Sequence, residues 1–90
     1  MRAILTEDNL GSHEEFLKKL KRRPFKKDIT FDDAHRFLTS SRVGFTVLSN
    51  GSHFHFRKDG VRITIARKNL EAYNIKQILE ALQTLGIDID

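Results

Sequence analysis

Two histidines, His53 and His55, are the residues of this sequence best suited to moving protons. They alternate with phenylalanines, and side chains two residues apart on a β-strand point the same way, with Cα atoms about 7 Å apart. Imidazole titrates near neutral pH, so it can act there as a general acid or a general base. The spacing permits an acid–base pair on a single phosphate, and equally one active histidine beside a neighbour that only binds.

The same His-x-His pattern can bind a metal, but only with at least a third ligand. The strand segment offers no further histidine or acid, and Asp59 lies at a turn beyond reach. We therefore expect no metal and no other cofactor. His13 and His35 fall on predicted helices and are expected at the surface.

Basic charge is segregated along the chain, which carries a net charge of +4. The first group has no acid within it and comprises Lys18, Lys19, Lys21, Arg22, Arg23, Lys26 and Lys27. The second group is opposed only by Asp59 and comprises Arg57, Lys58, Arg62, Arg67 and Lys68. Segregated positive charge favours a polyanionic partner such as nucleic acid, although the first group alone is equally consistent with a solvated surface.

Length and composition narrow the possible classes of protein. Ninety residues are enough for one domain with a modest core. The absence of cysteine excludes a disulfide framework and a thiolate nucleophile. No apolar run approaches the roughly 20 residues of a membrane span, and the N-terminus lacks a signal-peptide pattern. We expect a cytoplasmic protein without a membrane partner.

Helix signals occur at both ends of the chain. Ser12 followed by Glu15 has the form of a capping box and predicts a short basic helix that ends before Pro24. A second helix should begin at Thr30 and stop at Gly44, which is suited to a left-handed cap.

The last helix is predicted to begin around Asn74, with Tyr73 stapled against Ile78. Its apolar stripe continues to Leu85, and Gly86 occupies the position where a left-handed residue would cap the helix.

Alternation of apolar and polar residues predicts three strands between these helices, over residues 45–48, 53–57 and 61–66. The dipeptides Asn50-Gly51 and Asp59-Gly60 are typical of tight hairpin turns, so the strands should form an antiparallel meander. One face is apolar and comprises Phe54, Phe56, Val61, Ile63 and Ile65. The other shows His53, His55, Arg57, Arg62 and Thr64 to solvent.

The apolar face must be shielded from water, and the flanking helices are the elements available to cover it. The pattern predicts an α+β fold of order α-β-β-β-α, with a three-stranded antiparallel sheet, helices on one face and an extra N-terminal helix. The phenylalanines are assigned to the core, although stacking on bases is an alternative use of such residues.

The run from Gly51 to Phe56, followed by a turn and the third strand, resembles the HicA family of toxin–antitoxin systems. The likeness continues into the segment 73–79, which is similar to that family's closing helix, and it spans about residues 28–87. It implies a double-stranded-RNA-binding-domain-like fold for residues 28–90. Residues 1–27 form an N-terminal extension whose basic helix the minimal family lacks.

The resemblance also implies a function: an mRNA interferase that cleaves RNA without a metal and is silenced by a HicB-like antitoxin. The family's essential histidine falls on His53 within the element Gly51-Ser52-His53. The predicted catalytic residues are His53 and His55. The predicted RNA-binding residues are Gly51, Ser52, Arg57, Arg62, Arg67 and Lys68. Two alternatives stay open, a non-catalytic RNA-binding domain of this fold and an inactive interaction partner in a toxin–antitoxin pair.

Overall fold

A computed structural model of the chain describes residues 13–87. Residues 13–21 are helical and are labelled α1 here; the predicted cap at Ser12 lies outside the described residues. The elements that follow are α2 (Phe31–Thr39), β1 (Thr46–Asn50), β2 (His53–Lys58), β3 (Val61–Ala66) and α3 (Ala72–Thr84). The predicted α+β class and the α-β-β-β-α order are confirmed.

The three strands form an antiparallel sheet of order β1-β2-β3. The first turn lies one residue later than predicted, because Asn50 pairs with His53 and only Gly51 and Ser52 form the loop. Gly51 has φ +65° while Ser52 has no positive φ, which fits a type II′ turn and excludes type I′. At the second turn Asp59 and Gly60 both have positive φ, as type I′ requires.

The predicted faces of the sheet are confirmed. Phe56, Ile63 and Ile65 are fully buried, and Phe54 and Val61 pack against the same core at its edge. Rings from α2 cover this face: Phe31 lies 4.6 Å from Phe54 between ring centroids. The opposite face carries no helix among the described residues and remains open.

Helix α2 begins as predicted, with the backbone N–H of Asp33 donating to the Thr30 hydroxyl at 3.1 Å. The predicted stop at Gly44 is wrong, because the helix ends at Thr39 with Ser40 as its cap. Gly44 instead has φ +83° in the turn before β1, and its N–H donates to the Ser40 carbonyl.

Helix α3 begins earlier than predicted, at Ala72, with Glu71 as its N-cap. Asn74 lies inside the first turn, where its side-chain oxygen accepts a hydrogen bond from the Glu71 N–H at 2.9 Å. This shift also corrects the staple: Tyr73 is 62% exposed, and the staple positions belong to the buried Leu70 and Ile75.

The C-terminus of α3 is closed as predicted. Gly86 has φ +72°, and its N–H donates to the Gln83 carbonyl at 3.1 Å. The Ile87 N–H donates to the Leu82 carbonyl at 2.9 Å, which completes the hydrogen-bond pair of a Schellman motif.

Helix α1 belongs to the same hydrophobic core as the sheet. Phe16, Leu17 and Leu20 are buried, and the Phe16 ring stacks on Phe37 of α2 at 4.6 Å between centroids. His13 is buried beside them, with its ring 4.8 Å from Phe37, so its predicted surface position is wrong. The aromatic cluster between α1 and α2 accounts for this burial.

Candidate functional site

Register places the side chains of the open face in three rows that cross the sheet. The row beside the first turn is Asn50, His53 and Ala66. The middle row is Leu48, His55 and Thr64. The row at the opposite end is Thr46, Arg57 and Arg62. The face therefore runs from imidazole at one end to guanidinium at the other.

His53 lies at the rim of this face, as the first residue of β2. Its side chain is exposed, and its cross-strand neighbours are the small Ala66 and the polar Asn50. Within residues 13–87 no side-chain hydrogen bond, ion pair or ring contact involves it. The ring is accessible to a ligand from solvent, but no group of the described residues fixes its orientation.

His55 is held by its neighbour across the sheet. Its Nδ1 lies 2.9 Å from the Thr64 hydroxyl oxygen, and the ring is half-buried beside Leu48. The Thr64 hydroxyl donates to Nδ1 in one imidazole tautomer and accepts from the Nδ1–H in the other. In either case the Nε2 edge remains for a ligand, and the ring has a defined orientation.

Thr64 was expected on this face, but its role as the partner of His55 was not recognised from the sequence. The signal was present, because a two-residue loop at Asp59-Gly60 pairs Lys58 with Val61 and hence His55 with Thr64. Leu48 was also missed. It is an apolar residue that is 62% exposed, in the middle of an otherwise polar face.

Positive charge is concentrated at the far end of the sheet. Arg57 and Arg62 are cross-strand neighbours, both exposed, and neither forms an ion pair with another described residue. An open groove lies at this end, and its lining includes Gly44, Thr46, Arg57, Lys58, Asp59 and Arg62. Unpaired guanidinium groups beside one another attract an anion with several oxygens, such as phosphate.

Arg67 and Lys68 do not join this set. The Arg67 N–H donates to the Ser52 carbonyl at 2.9 Å, which extends the ladder beside the first turn. Its guanidinium lies 6.0 Å from the centroid of Phe54, on the helix-covered side of the sheet. Lys68 approaches Glu71 at 3.9 Å. The predicted site residues are thus divided between the open face and the edge at its His53 end.

Glu71 connects this edge to the N-terminal basic group. It pairs with Lys27 at 2.8 Å, in addition to its contact with Lys68. The hydrogen bond from Lys27, reinforced by the charges of Lys27 and Lys68, holds the pKa of the Glu71 carboxyl below its ordinary value. Glu71 is therefore a carboxylate at neutral pH and neutralises part of the local positive charge.

Across residues 13–87 there is no group of three or more histidine or acidic side chains close enough to hold a metal ion. None of the described helices is long and apolar enough to cross a membrane. Comparisons with protein-family models, with curated proteins and with solved structures found no match to this chain. The open face is accordingly the part of the molecule whose chemistry bears on function.

This face has the parts that phosphodiester chemistry requires. Two imidazoles can transfer protons, and two guanidinium groups can bind phosphate oxygens and stabilise charge that develops on them. All four are presented by adjacent strands of one sheet, without a helix above them in the described part of the chain.

Proposed function

We propose that the protein is an endoribonuclease toxin of the HicA type, acting on mRNA at the open face of its sheet. The observation that carries the proposal is the placement of His53 and His55 on one accessible face with Arg57 and Arg62. The sequence resemblance that singles out His53 agrees with this placement. No metal takes part in the proposed reaction.

In the proposed reaction the 2′-hydroxyl oxygen of the substrate attacks the adjacent phosphorus, and an imidazole accepts the hydroxyl proton. The bond from phosphorus to the 5′-oxygen breaks, and an imidazolium donates a proton to that leaving oxygen. The products are a 2′,3′-cyclic phosphate and a 5′-hydroxyl. Arg57 and Arg62 bind the RNA backbone and position it on the histidines.

A HicB-like antitoxin is the proposed partner, and it would inhibit the enzyme by covering the open face. The exposed Leu48 beside His55 supports this mode of binding, because an apolar side chain at the centre of a polar face suits a protein interface. Protection of His53 from carbethoxylation in the complex is the expected result. Equal reactivity in free and bound protein would place inhibition elsewhere.

The function is tested by incubating purified protein with a labelled RNA in EDTA. We expect cleavage that leaves a 2′,3′-cyclic phosphate, while DNA of the same sequence is bound but not cut because it lacks the 2′-hydroxyl. His53→Ala should abolish cleavage and retain the parent's circular dichroism spectrum. Gln77→Ala, at an exposed position of α3, is the matched control and should cleave like the parent.

Cleavage that requires added magnesium, or that also cuts the DNA strand, would contradict this mechanism. So would full activity in a well-folded His53→Ala protein. In cells, expression should arrest growth, and co-expression of the antitoxin should relieve the arrest.

A non-catalytic RNA-binding domain is the second candidate, and one observation favours it. His53 has no partner among the described residues that fixes its ring, and binding tolerates such freedom better than proton transfer does. This candidate predicts salt-sensitive affinity for RNA with intact strands after prolonged incubation. Rapid cleavage that depends on His53 would eliminate it.

A further inference from the structure

The N-terminal basic segment is fastened to the rim of the sheet near His53. The Lys27 ammonium pairs with Glu71 at 2.8 Å, and the Asn69 side chain donates to the Lys27 carbonyl at 3.3 Å. The Leu70 N–H donates to the Ile29 carbonyl at 2.8 Å. These contacts join residues more than 40 positions apart and hold the segment against residues 67–71.

The two segments joined here carry several exposed cations. They are Arg23, Lys26, Lys27, Arg67 and Lys68. Arg23 and Lys26 form no ion pair with any other described residue. Asp28 is engaged by Arg22, whose hydrogen bond lowers the pKa of the Asp28 carboxyl. Glu71 is thus the carboxylate shared at the centre of the junction, and positive charge remains in excess around it.

The junction lies beside the histidine end of the sheet. Arg67 is bonded through its backbone to Ser52, the residue directly before His53. Lys68 follows Arg67 and shares Glu71 with Lys27. Residues 67 and 68 therefore lie beside the first turn, while Arg57 of β2 and its β3 partner Arg62 lie at the opposite end of the sheet.

Along β2 the distance from His53 to Arg57 is about 13 Å, at about 3.3 Å per residue. Cations consequently stand on both sides of His53, at the junction and in the groove end of the sheet. A polyanion that crosses the histidines is the ligand that can use both at once, because its charges repeat along its length.

We propose that the junction of residues 22–28 with residues 67–71 is a second phosphate-binding surface, which holds the RNA strand on one side of the bond to be cut. The inference rests on the proposed function for the direction in which the strand continues, but its binding test is independent of cleavage. It gives the N-terminal basic segment a role in extending the footprint beyond the sheet. An acidic protein ligand at this surface is the competing outcome.

The test uses a fluorescently labelled 12-nucleotide DNA, which is bound through its phosphates and cannot be cut. Lys26→Gln with Lys68→Gln removes two cations from the junction, and Arg36→Gln with Lys76→Gln removes two exposed cations from helices α2 and α3. Each lost phosphate contact should lower the log–log salt slope by about 0.7, so the junction variant should lose about 1.4 in slope. At 0.15 M salt this corresponds to about tenfold weaker binding.

The control variant should bind within about twofold of the parent, and both variants should melt like it. A second measurement follows lysine acetylation by mass spectrometry with and without the DNA. Lys26, Lys27 and Lys68 should be protected by the strand, while Lys76 should react equally in both states. Equal loss of affinity in both variants, or unprotected junction lysines, would overturn the inference in favour of a protein ligand or a solvated surface.

The outcomes separate this inference from the proposed function. Loss of DNA affinity in the junction variant of a protein that never cuts RNA would refute the nuclease and retain the second surface. Cleavage of RNA by the parent, together with unchanged DNA affinity in the junction variant, would refute the second surface alone.

Discussion

At the scale of single residues, the two histidines of the open face differ in how they are held. His53 is exposed and has no side-chain partner among the described residues, whereas His55 is oriented by the Thr64 hydroxyl at 2.9 Å. Resemblance favours His53 for the proposed catalytic role, while geometry gives His55 the better-defined ring. The two roles can be separated experimentally through Thr64, which touches only one of them.

Thr64→Val replaces the hydroxyl by a methyl group of similar size and releases the His55 ring. If His55 donates or accepts a proton in the reaction, the rate of cleavage at saturating RNA should fall about 10- to 100-fold, because a misplaced catalytic group loses its near-attack geometry. Thr64→Ser keeps the hydroxyl and should restore most of the rate. The pH–rate profile of Thr64→Val should lose or shift one limb, which a change in stability alone would not cause.

A parent-like rate and pH profile in Thr64→Val would assign proton transfer to His53 without His55. The stability of the variant is checked by thermal melting, since Thr64 is only half-buried and its loss should be tolerated.

At the scale of elements, the two faces of the sheet determine which substitutions affect folding and which affect function. Phe56 is fully buried in the core, and its cross-strand neighbours are Val47 and Ile63. Leu48 lies one position further along β1, on the open face, and is 62% exposed. Truncating Phe56 or Leu48 to alanine therefore compares the two faces of the same sheet.

Phe56→Ala should lower the free energy of unfolding by about 3–5 kcal/mol, because it opens a cavity at the centre of the core. Leu48→Ala should change it by less than about 0.5 kcal/mol, because the side chain is already in water. Urea denaturation followed by circular dichroism measures both values. Similar destabilisation by the two substitutions would contradict the assignment of faces.

At the scale of the whole molecule, α1 adds an ionisable group to the core that helps to set the response to acid. His13 is buried against Phe37. Burial, and next the charge of Arg42, lower the pKa of His13 below its ordinary value of 6.5. The folded protein therefore favours the neutral imidazole of His13. The unfolded chain binds a proton at His13 at higher pH than the folded chain does.

The sign of the pH effect follows from this difference. Below pH 6.5 the unfolded chain binds more protons at His13 than the folded chain, so the free energy of unfolding should fall as pH is lowered from 7.5 to 5.5. His13→Gln cannot titrate and should show a smaller decrease over the same range. Parallel stability–pH curves for parent and variant, measured by urea denaturation, would exclude a contribution from His13.

The carboxyl groups of Asp28 and Glu71 titrate below the pH range from 7.5 to 5.5. The pKa of each carboxyl is lowered by a cation, by Arg22 for Asp28 and by Lys27 for Glu71. Their stabilising contributions are therefore present above their ordinary pKa values of 3.8 and 4.5, and are lost only at more acid pH. The interval from 7.5 to 5.5 isolates His13 from these two groups.

The sequence alone determined the class of the fold and the composition of the open face. Side chains alternate along a strand with a period of two, so the phenylalanines and the histidines of β2 had to lie on opposite sides. The displaced first turn did not disturb this result. Moving a two-residue loop by one residue changes the cross-strand partner by two positions, which preserves the face.

The partners within that face were decided by the tertiary structure. With the loop at Asn50-Gly51, His53 would have paired with Leu48; with the loop at Gly51-Ser52 it pairs with Asn50, and Leu48 lies beside His55. Both turns suit the local residues, so local chemistry left the choice open. The pairing of Val47 with Phe56 above the core accompanies the observed register.

Burial of His13, the turn of Arg67 toward Phe54, and the junction through Glu71 also depended on the tertiary structure. Each joins segments that are distant along the chain, and periodicity describes only the side on which a residue lies within its own element. Which distant segment meets that side depends on how helices pack on the sheet, and the packing involves all of the core residues together. The sequence therefore determined what the open face contains, and the packing determined which charges extend it.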